Sequence, residues 1–245
     1  MKKIYFIAAI ALAALVACSK DDDKKNSGNS GNSGDSGITI KNDGDFSDWK
    51  GDGIAVSELS EEVETSYPNL HIMKACADKK NVYFYFEYEL AEDQTVAPID
   101  ILINSDNDVT TGFTSWIWDD AACGWDYMIE SEQGFLTEAG GIADLSDAIV
   151  YKCVAGDGQD GWADGSVMEP QNVEDFIACK GSVKGGVAYF EVSVVRSVIN
   201  ANKTGKIAFG VTMTDATTGD WITTGILPQA EAGGVGGEML EVKLP

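Results

Sequence analysis

The sequence contains very little histidine and few basic residues. His71 is its single histidine among 245 residues, and 17 lysines and arginines stand against 40 aspartates and glutamates. A formal net charge of −23 repels nucleic acid and anionic lipid headgroups, so no nucleic-acid partner is expected. Sugars, divalent metals and basic proteins remain as partners. No nucleophile elbow is present to join His71 in a catalytic triad.

Cysteine is also scarce, and its spacing does not indicate a metal site. Four cysteines follow Cys18, and no two of them form the Cys-x-x-Cys pair typical of zinc sites: Cys76, Cys123, Cys153 and Cys179. An exported chain permits disulfides, and four cysteines allow three pairings among which the sequence does not choose. Burial as free thiols is an equally acceptable interpretation.

No apolar run reaches the ~20 residues that a membrane-spanning helix needs. The apolar run 4–16 follows two lysines and has the length of a signal-peptide core. Residues 15–18 read Leu-Val-Ala-Cys, which resembles a bacterial lipobox. We therefore predict a lipoprotein signal peptide at 1–17 and a lipid-anchored Cys18. The alternative is an ordinary secretory signal with a coincidental cysteine.

A polar linker follows the predicted lipidation site. Residues 19–23 read Ser-Lys-Asp-Asp-Asp, an acidic cluster, and 26–37 nearly repeat Asn-Ser-Gly, which is typical of a flexible tether. Acid directly after a lipidated cysteine resembles an export tag of some Gram-negative lineages, which favours the outer membrane and the cell surface. The alternative is a charge run that only hydrates the anchor. We expect 18–37 to be a linker and leave the membrane leaflet open.

Residues 38–245 are predicted to form one all-β domain. Short segments of alternating apolar and polar residues recur between Gly- and Asp-rich turns, without alternation of strand and helix. About ten strands are expected, at 70–77, 81–90, 99–103, 125–130, 148–154, 176–183, 188–195, 206–214, 220–224 and 239–244. This pattern predicts an antiparallel β-sandwich.

Several motifs resemble those of known sugar-binding sandwiches. Residues 43–49 read DGDFSDW, residues 82–88 are predicted to form an aromatic strand, and ILINSDND at 101–108 is followed by Thr-Gly and later by Asp126-Tyr127. This order resembles the family 9 carbohydrate-binding modules and the wider DOMON-like group. The resemblance implies a β-sandwich that binds sugars, sometimes with structural calcium. Asn104, where such domains often have Asp, departs from the pattern.

The loop after this strand is a candidate calcium site. Asp106 and Asp108 supply closely spaced oxygen ligands, and backbone carbonyls of a loop can complete a calcium shell. The alternative is that these side chains only form Asx turns within the loop.

Tryptophans beside acids are candidates for ligand binding. Trp116 and Trp118 are two residues apart, so an extended segment would present both indoles on one face as a platform for a sugar ring. Asp119 and Asp120 follow and can accept hydrogen bonds from sugar hydroxyls. Trp162 lies in a second acidic stretch. The alternative is burial, which is usual for tryptophan.

Two other aromatic positions are assigned to the fold. Trp125 lies within a predicted strand and is expected to face inward together with Tyr127. Trp49 is expected to fill the core.

The combined interpretation is a lipid-anchored, surface-exposed and non-catalytic protein that binds a neutral glycan or polysaccharide. It would work beside other proteins of a glycan-uptake assembly, with calcium as its one candidate cofactor. A structural or assembly lipoprotein that binds another protein is the alternative. A glycan-cleaving enzyme comes third, because no pair of carboxylates is singled out by the sequence.

Overall fold

A computed structural model describes residues 38–60, 64–90, 97–113, 118, 123–132, 134, 145, 148–153, 166–167, 173–201, 205–215, 221–230 and 235–245. These residues belong to one compact unit, Gly34–Pro245. The predicted signal peptide at 1–17 and the predicted linker at 18–37, including Cys18, lie outside the described residues. The described part of the chain contains no helix long and apolar enough to cross a bilayer.

The described residues form twelve strands and two single-turn 3-10 helices. The strands are β1 (Ala55–Glu58), β2 (Leu70–Ala77), β3 (Asn81–Glu89), β4 (Ile99–Asn104), β5 (Tyr127–Ser131), β6 (Ile149–Lys152), β7 (Ser166–Val167), β8 (Ile177–Lys184), β9 (Val187–Val195), β10 (Lys206–Asp215), β11 (Ile222–Leu227) and β12 (Leu240–Lys243). The 3-10 turns are Phe46–Asp48 and Val173–Asp175.

The strands make two antiparallel sheets. The first has five strands in the order β1-β2-β3-β9-β8. The second has the order β11-β10-β4-β5-β6-β7, and β12 pairs with β10 as its seventh strand. The all-β antiparallel sandwich predicted from the alternating pattern is confirmed.

The main core lies between the two sheets. Alternate residues of each central strand point into it, including Phe84, Phe86 and Tyr88 of β3 and Phe209 of β10, all without solvent exposure. Burying one large apolar side chain contributes about 1.5–3 kcal/mol. The core face predicted for β3 is therefore confirmed.

The segment 38–54, which precedes β1, covers the outer face of the five-stranded sheet. Trp49 is buried there beside Tyr85, and its Nε1 donates to Glu191 Oε2 at 3.1 Å. Gly44, with φ of +85°, brings its own N–H to the other oxygen of Glu191. The DG…DW motif thus attaches the segment to β9, and the prediction of a buried Trp49 is confirmed.

Ten of the strands overlap the predicted segments, whereas β1 and β7 are not predicted. These two have four and two residues, too few for a readable alternation. The segment predicted from 125 starts two residues later, because Trp125 leaves the ladder to form a separate bridge with Phe113.

All four cysteines of the domain are free thiols. Cys76, Cys123 and Cys153 are buried, and Cys179 is partly buried. Burial is the main cause that raises the pKa of Cys76 and Cys153 to about 12, which suppresses the reactive thiolate. The interpretation as buried free thiols is confirmed.

Candidate functional site

The outer face of the seven-stranded sheet divides into two halves, and the division is visible within single strands. In β4, Asp100 and Leu102 are two residues apart and point to the same outer face. In β5, Glu130 and Met128 lie opposite them in register. We call the region around Leu102 and Met128 the covered half, and the region around Asp100 and Glu130 the open half.

The covered half is closed by aromatic side chains. Leu102, Met128, Ala208 and Ile226 form a second core with Phe113, Trp118 and Trp125. Phe113 and Trp125 pack edge to face, with ring centroids 4.8 Å apart. The described residues of this half are therefore buried and not exposed to a ligand.

Trp118 belongs to this second core, which corrects one expectation. Only 3% of its surface is exposed, and its Nε1 donates to the carbonyl of Gly237 at 2.7 Å. A Cβ added at Gly210 would lie 2.5 Å from the indole Cη2, so the ring rests directly on β10. The expectation of an exposed indole at this position is wrong. The ring packs against β10 at Gly210, which has no side chain, and the indole N–H is hydrogen-bonded to the Gly237 carbonyl.

Trp125 is buried as predicted, but on the side opposite Tyr127. Tyr127 belongs to the core between the sheets, whereas Trp125 belongs to the second core on the outer face. The prediction of one shared inward face is wrong, because the strand begins only at Tyr127 and Trp125 pairs with Phe113 instead.

The carboxylates of the candidate calcium loop accept hydrogen bonds from backbone N–H groups of the same loop. Asp106 Oδ1 accepts from the N–H of Asp108 at 3.0 Å, and Asp108 Oδ1 accepts from the N–H of Thr110 at 2.9 Å. Asn104 is buried and also accepts from Asp108 N–H at 3.1 Å. Nowhere in the described residues do three His, Cys, Asp or Glu side chains gather as a metal would need. The geometry fits the Asx-turn alternative, and calcium binding stays a prediction.

The open half contains a cavity of about 420 Å³. The described residues that line it are Pro98, Asp100, Glu130, Glu132, Tyr151, Thr214 and Trp221. They come from or adjoin β4, β5, β6, β10 and β11, so the middle strands of the sheet form the floor and the β11 edge is one wall.

Asp100 is the buried acid of this floor. Its residue surface is only 6% exposed, and Oδ2 accepts a hydrogen bond from Thr212 Oγ1 at 3.2 Å. Burial, followed by repulsion from Glu130, raises the pKa of Asp100 to about 7 against the weaker opposing effect of Thr212. The carboxyl group of Asp100 is therefore partly protonated near neutral pH.

Tyr151 extends the acidic floor onto β6. Burial raises the pKa of its phenol, and the nearby charges of Glu130, Asp100 and Glu132 raise it further. Tyr151 also hydrogen-bonds to Glu130, so its ring is held beside the carboxylates as a neutral phenol.

Trp221 is the exposed aromatic side chain of the cavity. More than half of its surface, 55%, is open to solvent, and its φ is +48°. The left-handed region costs a residue with a Cβ roughly 1–2 kcal/mol. Strained backbone of this kind clusters at ligand sites, so Trp221 is a candidate ligand contact.

The structure and the predicted site overlap little. Trp116, Asp119, Asp120 and Trp162 lie outside the described residues, so their ligand-binding roles stay predictions. The cavity residues were missed, although two signals were present. Asp100 is an acid inside the apolar run PIDILIN, and Trp221 follows an aspartate as the other candidate tryptophans adjoin acids.

The chain is similar in structure to a family 9 carbohydrate-binding module from Caldicellulosiruptor kristjanssonii, solved in complex with cellotriose and with glucose. The cellotriose complex has a TM-score of 0.34 at 11% sequence identity, over 78% of this chain and 80% of that chain. The glucose complex has a TM-score of 0.35 at 11% identity, over 77% and 89%. Both are of the family that the sequence motifs resemble.

No protein-family profile matches the chain, and no curated protein sequence matches it. Structural similarity at this identity and TM-score transfers neither a ligand nor a residue role. The candidate site therefore rests on the side chains of this chain alone.

Proposed function

We propose that this protein is a lipid-anchored, non-catalytic carbohydrate-binding protein whose site is the cavity of the open half. The observation that supports this most is the combination of the exposed Trp221 with a floor of carboxyl groups in one cavity of about 420 Å³. Ligand cavities commonly have about 300–1,000 Å³ and a few convergent polar groups.

The lining has the two chemistries that sugar recognition needs. The C–H face of a sugar ring can pack on the indole of Trp221 and on the phenol ring of Tyr151. Its hydroxyl groups can donate to Asp100, Glu130 and Glu132, and charge-assisted hydrogen bonds of this kind are stronger than neutral ones.

Calorimetry against a broad panel of polysaccharides and oligosaccharides tests the proposal. We expect binding by the parent chain, and loss of binding in Trp221→Ala with an unchanged melting temperature. Ile222→Ala is the matched control, because Ile222 is the next residue, is equally exposed and does not line the cavity. Failure to bind any member of the panel would refute the proposal.

The membrane anchor is proposed from the lipobox-like sequence at Cys18. We expect Cys18→Ser to move the protein from the membrane fraction to the soluble fraction of the producing cell. Digestion of intact cells by added protease then tests the surface location, since a chain on the periplasmic side is protected.

Calcium binding is checked separately through Asp106 and Asp108. A melting temperature that falls on addition of a chelator, in the parent chain but not in Asp106→Asn, supports a bound calcium ion. A melting temperature indifferent to the chelator leaves the loop as Asx turns alone.

One observation favours glycan cleavage as a second candidate function. Asp100 and Glu130 are paired residues on the neighbouring strands β4 and β5. Burial, followed by repulsion from the more exposed Glu130, raises the pKa of Asp100 to about 7. Glycosidases use such carboxyl pairs as acid and base or nucleophile. Release of reducing sugar from a bound polysaccharide, abolished in Glu130→Gln, would establish it, and its absence supports a binding role alone.

A further inference from the structure

The charge of the open-half cavity is one-sided. Of the lining residues that the structure describes, Asp100, Glu130 and Glu132 are acidic and none is basic. Asp100 and Glu130 are directly opposed in the antiparallel register. Residues opposed in this way have Cβ atoms about 4.5–5.5 Å apart, and like charges at this spacing are destabilising.

Two hydrogen bonds of the cavity floor are made with neutral groups. Asp100 accepts from the neutral hydroxyl of Thr212, and Glu130 is hydrogen-bonded to the neutral phenol of Tyr151. Repulsion from Glu130 disfavours the charged form of Asp100, and all three carboxyl groups disfavour ionisation of the Tyr151 phenol. The charged groups among the described lining residues are therefore all acidic, and a bound cation would offset their repulsion.

The aromatic rings favour the same kind of ligand. Trp221 and Tyr151 line the cavity with the acids. The face of an aromatic ring attracts a cation, with tryptophan the most effective, and the same face packs against sugar C–H groups. A purely neutral sugar uses only the second of these interactions, whereas a sugar with an ammonium group uses both.

We infer that the cavity prefers a carbohydrate with a free amino group, bound as its ammonium form, over the same carbohydrate with a hydroxyl or an acetamido group in that place. The ammonium group donates to Glu130 and Asp100, and the sugar ring packs on Trp221. This inference rests on the proposed carbohydrate-binding function and names its ligand class.

Calorimetry at low salt with three trisaccharides tests the preference. The probes are the β-1,4-linked trimer of glucosamine, its fully N-acetylated counterpart, and cellotriose as the hydroxyl analogue. We expect the glucosamine trimer to bind at least about tenfold more tightly than the other two, because its ammonium group adds attraction between opposite charges to the hydrogen bonds that a hydroxyl group also makes to the carboxylates. Added salt should reduce this difference.

Two charge-matched variants separate the cavity from the general acidity of the chain. Glu130→Gln removes one carboxylate from the cavity, and Glu58→Gln removes one from exposed strand β1 of the other sheet. We expect the preference for the glucosamine trimer to vanish in Glu130→Gln and to persist in Glu58→Gln. A melting temperature of each variant no lower than that of the parent establishes that folding is intact.

The possible results are distinguishable. Equal or tighter binding of cellotriose overturns the amino-sugar inference and leaves the carbohydrate-binding function standing. Equal effects of the two glutamate variants show attraction by net charge alone and also overturn the inference. Failure of all three trisaccharides and of the wider panel to bind overturns both proposals.

Discussion

The two halves of the outer sheet face are built by the same strands, and β4 and β5 each contribute an apolar side chain to one half and an acidic side chain to the other. β4 places Leu102 in the covered half and Asp100 in the open half, and β5 places Met128 and Glu130 likewise. Apolar side chains at the first pair are closed over by Phe113, Trp118 and Trp125. Carboxyl groups at the second pair line a cavity instead.

The difference has a simple energetic cause. An apolar cover over Leu102 and Met128 gains free energy from each buried methylene. The same cover over the open half would take the partly exposed carboxylate of Glu130 out of water beside the already buried Asp100, at a cost of several kcal/mol. A cavity therefore remains over the acidic pair, while the neighbouring half of the same strands becomes core.

The largest change in the free energy of unfolding is expected from a substitution in the covered half. Trp118→Ala removes a buried indole and its hydrogen bond to Gly237. We expect the free energy of unfolding to fall by about 3–5 kcal/mol, the usual range for a large aromatic side chain replaced by alanine. Chemical denaturation measures it. Carbohydrate binding by the fraction that remains folded should be unchanged, and its selective loss would return Trp118 to the ligand site.

The next effect is a pH dependence that belongs to the open half. The carboxyl of Asp100 titrates near 3.8 when unfolded and near 7 when folded, so the folded state holds the proton more tightly between these values. The stability contributed by this group is complete below pH 4 and is lost as the pH rises to about 7. Asp100→Asn keeps an acceptor for Thr212 but cannot ionise.

We therefore expect Asp100→Asn to raise the free energy of unfolding at pH 8 by at most about 4 kcal/mol, since each pKa unit corresponds to 1.36 kcal/mol. At pH 4 the variant and the parent should be nearly equal. Denaturant unfolding at both pH values checks this. A gain of the same size at pH 4 would show that ionisation of Asp100 is not its cause.

A smaller effect tests how closely the cover fits the sheet. A Cβ at Gly210 meets the Trp118 ring at 2.5 Å, so Gly210→Ala should cost about 1–3 kcal/mol by overpacking. In the Trp118→Ala background this cost should largely disappear, because the indole is gone. A double-mutant cycle measures the coupling. Additive effects would indicate that the strain comes from Met239, the other neighbour of that Cβ.

The smallest effect on stability is expected in the open half. Trp221 is 55% exposed, so Trp221→Ala should change the free energy of unfolding by no more than about 0.5 kcal/mol. Trp221→Gly should stabilise the fold slightly, because glycine adopts a φ of +48° without strain. A large loss of stability in Trp221→Ala would place this indole in the packing and not in a ligand site.

The sequence predicted the fold well where its local pattern was long. Alternation over nine residues in β3 and ten in β10 located both strands and their core faces. It failed for β1 and β7, which are too short to show a period. The segment predicted from Trp125 began two residues before the observed start of β5 at Tyr127. No local signal in the sequence marks the residue at which a chain joins or leaves the strand pairing.

The candidate site was harder to predict, because exposure is not a local property. Trp118 lies in a polar stretch that reads as a surface loop, yet the bare outer face of β10 buries its ring. Asp100 reads as one polar residue in a strand, and only strand pairing brings Glu130, Tyr151 and Thr212 around it.

The sequence by itself determined the alternating strands, the excess of acid, the lipobox-like start and the sandwich class, because each depends on composition or on spacing along the chain. Only the tertiary structure decided which tryptophan is buried and which acids meet. The order β11-β10-β4-β5-β6 brings together residues more than 100 positions apart. Packing over the apolar part of that sheet leaves its acidic part open, and that division creates the candidate site.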